Sequence, residues 1–354
     1  MPDQLIQIAQ SLIAFRTTRD NSAAIDDCLN FIAAFFEKNA VVRRFQGDSP
    51  SLLMLPPGIK KPEILFVGHC DVVEAETKQF HPRIQGDKLY GRGAFDMKGP
   101  LAALIVAYQH DLERGNSRVG LLVTSDEEQG GFQGAGEFVH HRSLLPEIAI
   151  VPDGGGDTPF ETASGGKGNC KLTITVQGKS AHSSRPWEGE NAIFKATQIL
   201  SLLKKKYPGA REKNTAATTI VPVEIMSEGH GHNVVARRSK ILCNVRYTPN
   251  FDFSALRRYL DLPGVDIKIE KSAEPYDAHL HHPLAKKFLS TMAEVLHHPI
   301  QISRYPSTCD ARFFAEHGIP VIVTRPKGEH AHGSGEWVSI SGLAIWMRIL
   351  DLYA

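Results

Sequence analysis

Apolar positions recur at helical spacing over 3–15 and 23–38, and Asn21 or Ser22 stands where the second stretch needs a cap. Further along, the pattern changes to short continuous apolar runs bounded by turn residues. "EILFVGH" (63–69), "RVGLLVTS" (118–125) and "EIAIVPD" (147–153) predict buried parallel strands, with helices between them at 99–113 and 132–142. That alternation is the βαβ rhythm of an open α/β sheet.

The rhythm breaks at the Gly-rich "SGGKGNC" (164–170), which reads as a hinge. An alternating strand "KLTITVQG" follows, then a helix near 189–206, strands near 218–227 and 240–248, a helix near 252–261 and a strand near 264–271. One β-α-β-β-α-β unit of this kind is a complete ferredoxin-like domain. The α/β pattern then returns with a helix at 283–297, the strands "QIS" and "PVIVT", the helix "ARFFAEHG" between them and a closing helix from 339. The expected architecture is an α/β domain in two pieces, 1–166 and 276–354, holding an inserted domain at 167–275.

Composition narrows the function classes. At 354 residues the chain exceeds what one core usually organises, which agrees with two domains. A net charge of +1 and the lack of a basic, aromatic-studded segment argue against nucleic acid as a partner. No apolar run reaches the roughly 20 residues that span a bilayer, and the first residues read as an amphipathic helix, not a signal peptide. Five cysteines without CxxC spacing suggest reduced thiols and a cytoplasmic location.

Each of the three buried strands ends in possible metal ligands: His69 and Asp71; Asp126, Glu127 and Glu128; Asp153. Asp96, just ahead of the 99–113 helix, falls on the same side. Ligands bind beyond the carboxyl ends of strands in open α/β sheets, and clustered carboxylates repel one another unless a cation offsets them. A single carboxylate after a strand is ordinarily a turn residue or a cap. Three successive strand ends favour a metal site, and imidazole with carboxylate suits zinc, with cobalt or manganese as substitutes. Cys70 faces away from His69. "GGFQGAGEF" lacks dinucleotide-binding spacing, "SGGKGN" is not a phosphate loop, and no G-x-S-x-G elbow is present. The histidines of "GHGHN" (229–233), "HLHHP" (279–283) and "HHP" (297–299) read mainly as loop residues.

At these residues the chain resembles the di-zinc aminoacylase/carboxypeptidase metallopeptidase family, which includes succinyl-diaminopimelate desuccinylases, acetylornithine deacetylases, glutamate carboxypeptidases and carnosine-type dipeptidases. "GHCDVV", "GRGAFDMKGPLAA", "TSDEEQGG", "IVPDGG", "GKSAHSSRP", "NVVA", "CNVRY", "STCDARFF" and "HGSGE" match in order across nearly the whole chain. The resemblance implies a zinc-exopeptidase-like catalytic domain with an inserted ferredoxin-like lid and dimerisation domain. It also implies two Zn2+, with His69 and Asp153 on one ion, Glu128 and His332 on the other, and Asp96 bridging. His332 is preferred to His330 because the family's last ligand stands four residues before a glutamate, here Glu336. Glu127 would be the general base and Asp71 the partner that orients His69. The peptide after Asp96 would be cis.

By the same resemblance His182 would polarise the scissile carbonyl in a partner subunit's site, and Asn233, Arg246 and Thr308 would contact substrate. The implied substrate is an N-acyl amino acid or short peptide, and the implied assembly a homodimer through the insert. Two positions depart from the pattern. Position 153 is Asp, as in dipeptidase-like and aminoacylase-like members, where desuccinylases and deacetylases commonly carry Glu, and "STCD" replaces Gly-Thr-Ser-Asp. A deacylase is the first expectation, a dipeptidase or carboxypeptidase the second, and a non-catalytic binding relative a distant third.

Overall fold

Six strands make the central sheet, in the spatial order Val41–Phe45, Ser51–Leu55, Val119–Thr124, Ile64–His69, Ile148–Val151 and Val321–Val323. The last four are mutually parallel, and every residue of these four is buried. That is why they read as unbroken apolar runs: helices cover both faces, so no polar side alternates with the apolar one. The first two strands add antiparallel at one edge. The computed structural model describes residues 2–116, 118–141, 144–156, 158–209, 217–228 and 231–354. Gly229 and His230 of "GHGHN", and Arg142 at the end of the 132–142 stretch, lie outside these residues.

The chain divides into two compact units, one of Met1–Gly165, Asp277–Tyr305 and Cys309–Ala354, the other of Gly166–Tyr276 with Pro306–Thr308. Thr308 therefore groups with the second unit, although the sequence boundaries placed it in the first. In the first unit the helices Pro2–Ala14, Lys98–Glu113, Pro283–Leu296 and Ile340–Tyr353 share one apolar core with the sheet. Side-chain caps set several helix starts: Asn21 accepts from Ala24 N at 3.3 Å, and Ser339 Oγ from Gly342 N at 2.9 Å. Among the described residues no helix is long and apolar enough to cross a membrane. All five cysteines are buried and free.

The second unit has its own core. Its strands Gly168–Gln177, Thr219–Glu228, Arg238–Tyr247 and Val265–Ala273 stand in the order second, third, first, fourth, all antiparallel, with the helices Ala192–Lys206 and Phe253–Tyr259 in the two crossovers. This is a split β-α-β arrangement.

Three expectations needed correction. The "SGGKGNC" hinge is mostly strand, with Thr162–Gly166 and Gly168–Gln177 on either side of Lys167. The helix expected over 132–142 shrinks to Ala135–Phe138. Strand Ile302–Tyr305 joins a small separate sheet with Thr162–Gly166 instead of the central one.

Candidate metal centre

The strand Ile64–His69 ends on a histidine that is only 1% exposed. Gly68 precedes it because the entry of the Lys98–Glu113 helix presses on the strand there: a Cβ would lie 2.9 Å from Met97 Cε and 3.1 Å from Leu101 Cδ1. The same close approach brings Asp96, two residues before that helix, over the strand end. The Asp96–Met97 peptide is cis.

His69 is fixed from behind and faces carboxylates in front. Its Nδ1 lies 3.1 Å from Asp71 O and 3.3 Å from Asp71 Oδ1. Its Nε2 lies 3.3 Å from Asp96 Oδ1 and 3.9 Å from Asp153 Oδ2. Asp71 also accepts from the backbone N–H groups of Glu127 at 3.3 Å and Glu128 at 3.0 Å, so one carboxylate sets both the imidazole and the neighbouring turn. His332 Nε2 is 3.0 Å from Glu128 Oε1 and 3.3 Å from Asp96 Oδ2. Two groups of donors result, His69–Asp96–Asp153 and Asp96–Glu128–His332, each with its ligand atoms within 4.8 Å of one another. Asp96 belongs to both.

The electrostatics match a cation site. Burial pushes Asp153 well above the usual carboxylate range, and the Asp96 charge adds to this. Burial and then the Asp153 charge do the same to Glu127. Burial opposes ionisation of Asp96 as well, but hydrogen bonds to His332 and His69 outweigh it and hold that carboxyl far below its ordinary value. Hydrogen bonds to Asp96 and Glu128 raise His332 to about 10. Burial works against a charge on His69, yet Asp71 and Asp96 raise it well above normal. Protons and cations compete for these donors, and the nitrogen and oxygen set suits a divalent ion of the zinc type.

Asp126, grouped in sequence with the two glutamates, joins neither donor group. It is buried, accepts from Gln133 N at 2.7 Å and shapes the turn, its carbonyl accepting from Gln129 N and Gly131 N. His330 is exposed and pairs with Glu329 at 3.8 Å.

Sequence reasoning used Glu336 only to choose between histidines and missed what it does. Its Oε1 accepts from Phe95 N and Asp96 N, both at 3.0 Å, while its Oε2 pairs with Arg92 in a fully buried contact. Arg92 Nη2 then donates to His332 O at 2.8 Å. The pair ties the Asp96 segment to the His332 loop, where His332 is held at φ +64°, a left-handed conformation that only a well-determined surrounding maintains. Arg92 lies within "GRGAFD" and Glu336 within "HGSGE", but no spacing in the sequence pairs them.

The remaining sequence-derived site residues lie in the second unit. His182 Nδ1 accepts from Ser184 N at 3.2 Å and lies 2.8 Å from Ser184 Oγ, which leaves the ring proton on Nε2 as a donor. Asn233 is adjacent, its carbonyl accepting from Ser183 N at 2.8 Å. Arg246 Nη1 donates to Ser307 Oγ at 3.2 Å, beside Thr308, whose buried hydroxyl has no hydrogen-bond partner among the described residues.

Donor groups that share a carboxylate, set at the carboxyl ends of a parallel sheet, define a metal-dependent hydrolase. The chain belongs to peptidase family M20/M25/M40, whose sequence profile matches residues 65–354. Succinyl-diaminopimelate desuccinylase of Helicobacter hepaticus is 29% identical over 327 residues, covering 85% of this chain and 83% of that one. Two solved structures share the fold. A tripeptidase from Staphylococcus aureus gives a TM-score of 0.81 at 18% identity over 100% of this chain and 98% of that one. A metallo-carboxypeptidase from Sulfolobus solfataricus gives 0.78 at 18% identity over 99% and 98%.

Proposed function

We propose that the protein hydrolyses the amide bond of an N-acyl amino acid, in the manner of a desuccinylase or deacetylase, with two zinc ions at the paired donor groups. The sharing of Asp96 by both groups carries this reading. In it His69 and Asp153 serve one ion, Glu128 and His332 the other, and cobalt or manganese can replace zinc. Ions held by these residues would supply Lewis acidity and would lower the pKa of water at the site.

Glu127 takes the proton from that water and returns it to the departing amine. Burial and the Asp153 charge raise its carboxyl above the ordinary glutamate range, the direction that favours taking up a proton. His182, donating from Nε2, steadies the carbonyl oxygen, and Arg246 clamps a substrate carboxylate in its planar fork. Asn233 and the unpartnered Thr308 hydroxyl complete the substrate contacts. Asp153 favours a second reading, a dipeptidase or carboxypeptidase, because dipeptidase-like relatives carry Asp there. Turnover of zinc-loaded protein on N-succinyl, N-acetyl and dipeptide panels separates the two, and no turnover on any panel would end both.

Metal content tests the site directly. Zinc-loaded protein is expected to hold two ions per chain by elemental analysis, and His69→Ala to lose at least one. Because His332 binds a proton up to about pH 10 when no cation displaces it, zinc uptake at neutral pH should release protons, and affinity should fall as the pH falls. Fully active protein without metal would end the reading.

The insert is proposed as a lid and dimerisation domain of a cytoplasmic homodimer. The edge strand Thr219–Glu228 supports this, since it exposes Val221 (51%), Val223 (59%), Ile225 (49%) and Met226 (44%), a row that a second copy would cover. In such a dimer His182 acts in the partner's site. Hybrids of Glu127→Gln and His182→Ala subunits should then regain activity, because one site per hybrid keeps both groups. Hybrids shown to have formed yet inactive would rule out action in trans.

A further inference from the structure

Two side chains flank Asp153 without belonging to either donor group. Strand Val321–Val323 runs parallel to Ile148–Val151, with Val323 opposite Val151. Two residues beyond that pair, past the ends of both strands, the chains carry Arg325 and Asp153. The Arg325 guanidinium lies over the ring of Phe95, 4.1 Å from its centroid, and Phe95 directly precedes Asp96. The Arg325 backbone is anchored as its carbonyl accepts from Phe160 N at 2.9 Å. Its charge acts on Asp153, but among the described residues no carboxylate oxygen lies within ion-pair distance of it.

Tyr305 approaches Asp153 from another segment. Its ring rests on Gly154, where a Cβ would come within 2.7 Å of Cε1 and Cζ; φ there is +128°, so glycine is needed on two counts. Burial and then the Asp153 charge push the Tyr305 phenol well above its ordinary value. Arg325 and Tyr305 are half-buried, whereas Val323, Thr324 and Pro326 beside Arg325 are buried.

We propose that Arg325 and Tyr305 form a carboxylate subsite on the Asp153 side of the metal centre, selecting acyl groups that are themselves acids. A guanidinium stacked on an aromatic ring, not paired with the nearby acids, keeps its donor fork open for a planar anion, and a phenol donor nearby supplies a further hydrogen bond. The inference rests on the amide-hydrolase reading and narrows it. A succinyl-type group, with a second carboxylate, is preferred over acetyl.

Calorimetric binding of succinate and of its monoamide, succinamate, to zinc-loaded protein tests this, because the two probes differ by one charge. Succinate should bind about tenfold or more tightly, the ratio that one charge-assisted contact supports. Arg325→Gln should bring the two probes to near equality, Arg325→Lys should retain part of the preference, and Tyr305→Phe should reduce it, all with zinc content unchanged. Equal binding of both probes by the unaltered protein, or full preference in Arg325→Gln, overturns the proposal. Zinc loss from Arg325→Gln also overturns it, since Arg325 would then serve to offset the charge of Asp153. The readout is binding, so absence of amide turnover would remove the functional reading and leave this result standing.

Discussion

Glu127→Gln is expected to lower turnover by roughly 100-fold to 10,000-fold, the range for losing a general base, while the bound metal stays. Glu128→Gln is expected to lose metal first and activity as a consequence. The two glutamates are sequence neighbours on one 3-10 turn, and Asp71 receives the backbone N–H of each. The turn sets the two apart: Glu128 is directed at His332, at 3.0 Å, and Glu127 lies in the field of Asp153 and His69. Turnover and metal analysis on the same preparations decide the matter. Equal metal loss in both variants would sink the assignment.

Arg92→Met should cost about 3–5 kcal/mol of stability, because it strands a buried carboxylate without its paired guanidinium. Arg92 and Glu336 are 3% and 2% exposed, so water does not take over the lost contact. Burial already raises Glu336, and the N–H groups of Asp96, Phe95 and Gly93 and the charge of Arg92 hold it back. Removing both partners, as Arg92→Met with Glu336→Leu, should recover part of the loss in denaturant midpoint while leaving zinc binding poor, because the Asp96 N–H then has no acceptor. A single variant within about 1 kcal/mol of the unaltered protein would show that the pair is not structural.

The parts of this molecule that sequence made legible are those where one physical constraint dominates. Ile64–His69, Val119–Thr124 and Ile148–Val151 are buried on both faces, so their apolar runs and the ligands after them stand out. Val41–Phe45 and Ser51–Leu55 are five residues each, and they pair at the antiparallel edge of the sheet. "VVRRF" has too much charge for a core strand, and "SLLML" is rich in residues that favour helix as readily as strand, so neither declares itself. The 132–142 stretch shows helical spacing, yet Gly134 and Gly136 weaken it and only four residues close into a helix. The donor residues could be chosen from their motifs. The Arg92–Glu336 link and the Arg325–Phe95 stack could not, because they join segments hundreds of positions apart through contacts that no local pattern encodes.

The donors run from residue 69 to residue 332, and the strand Val321–Val323 must find Ile148–Val151 across the whole insert. Synthesis proceeds from the N-terminus, and domains fold as units while they emerge. The second unit, complete to Tyr276 apart from Pro306–Thr308, can gather its own core while the first still lacks its last parallel strand. The donor group Asp96–Glu128–His332 is therefore completed only near the end of synthesis. A nascent chain interrupted between Asp153 and His332 carries the whole His69–Asp96–Asp153 group but lacks the imidazole that completes Asp96–Glu128–His332.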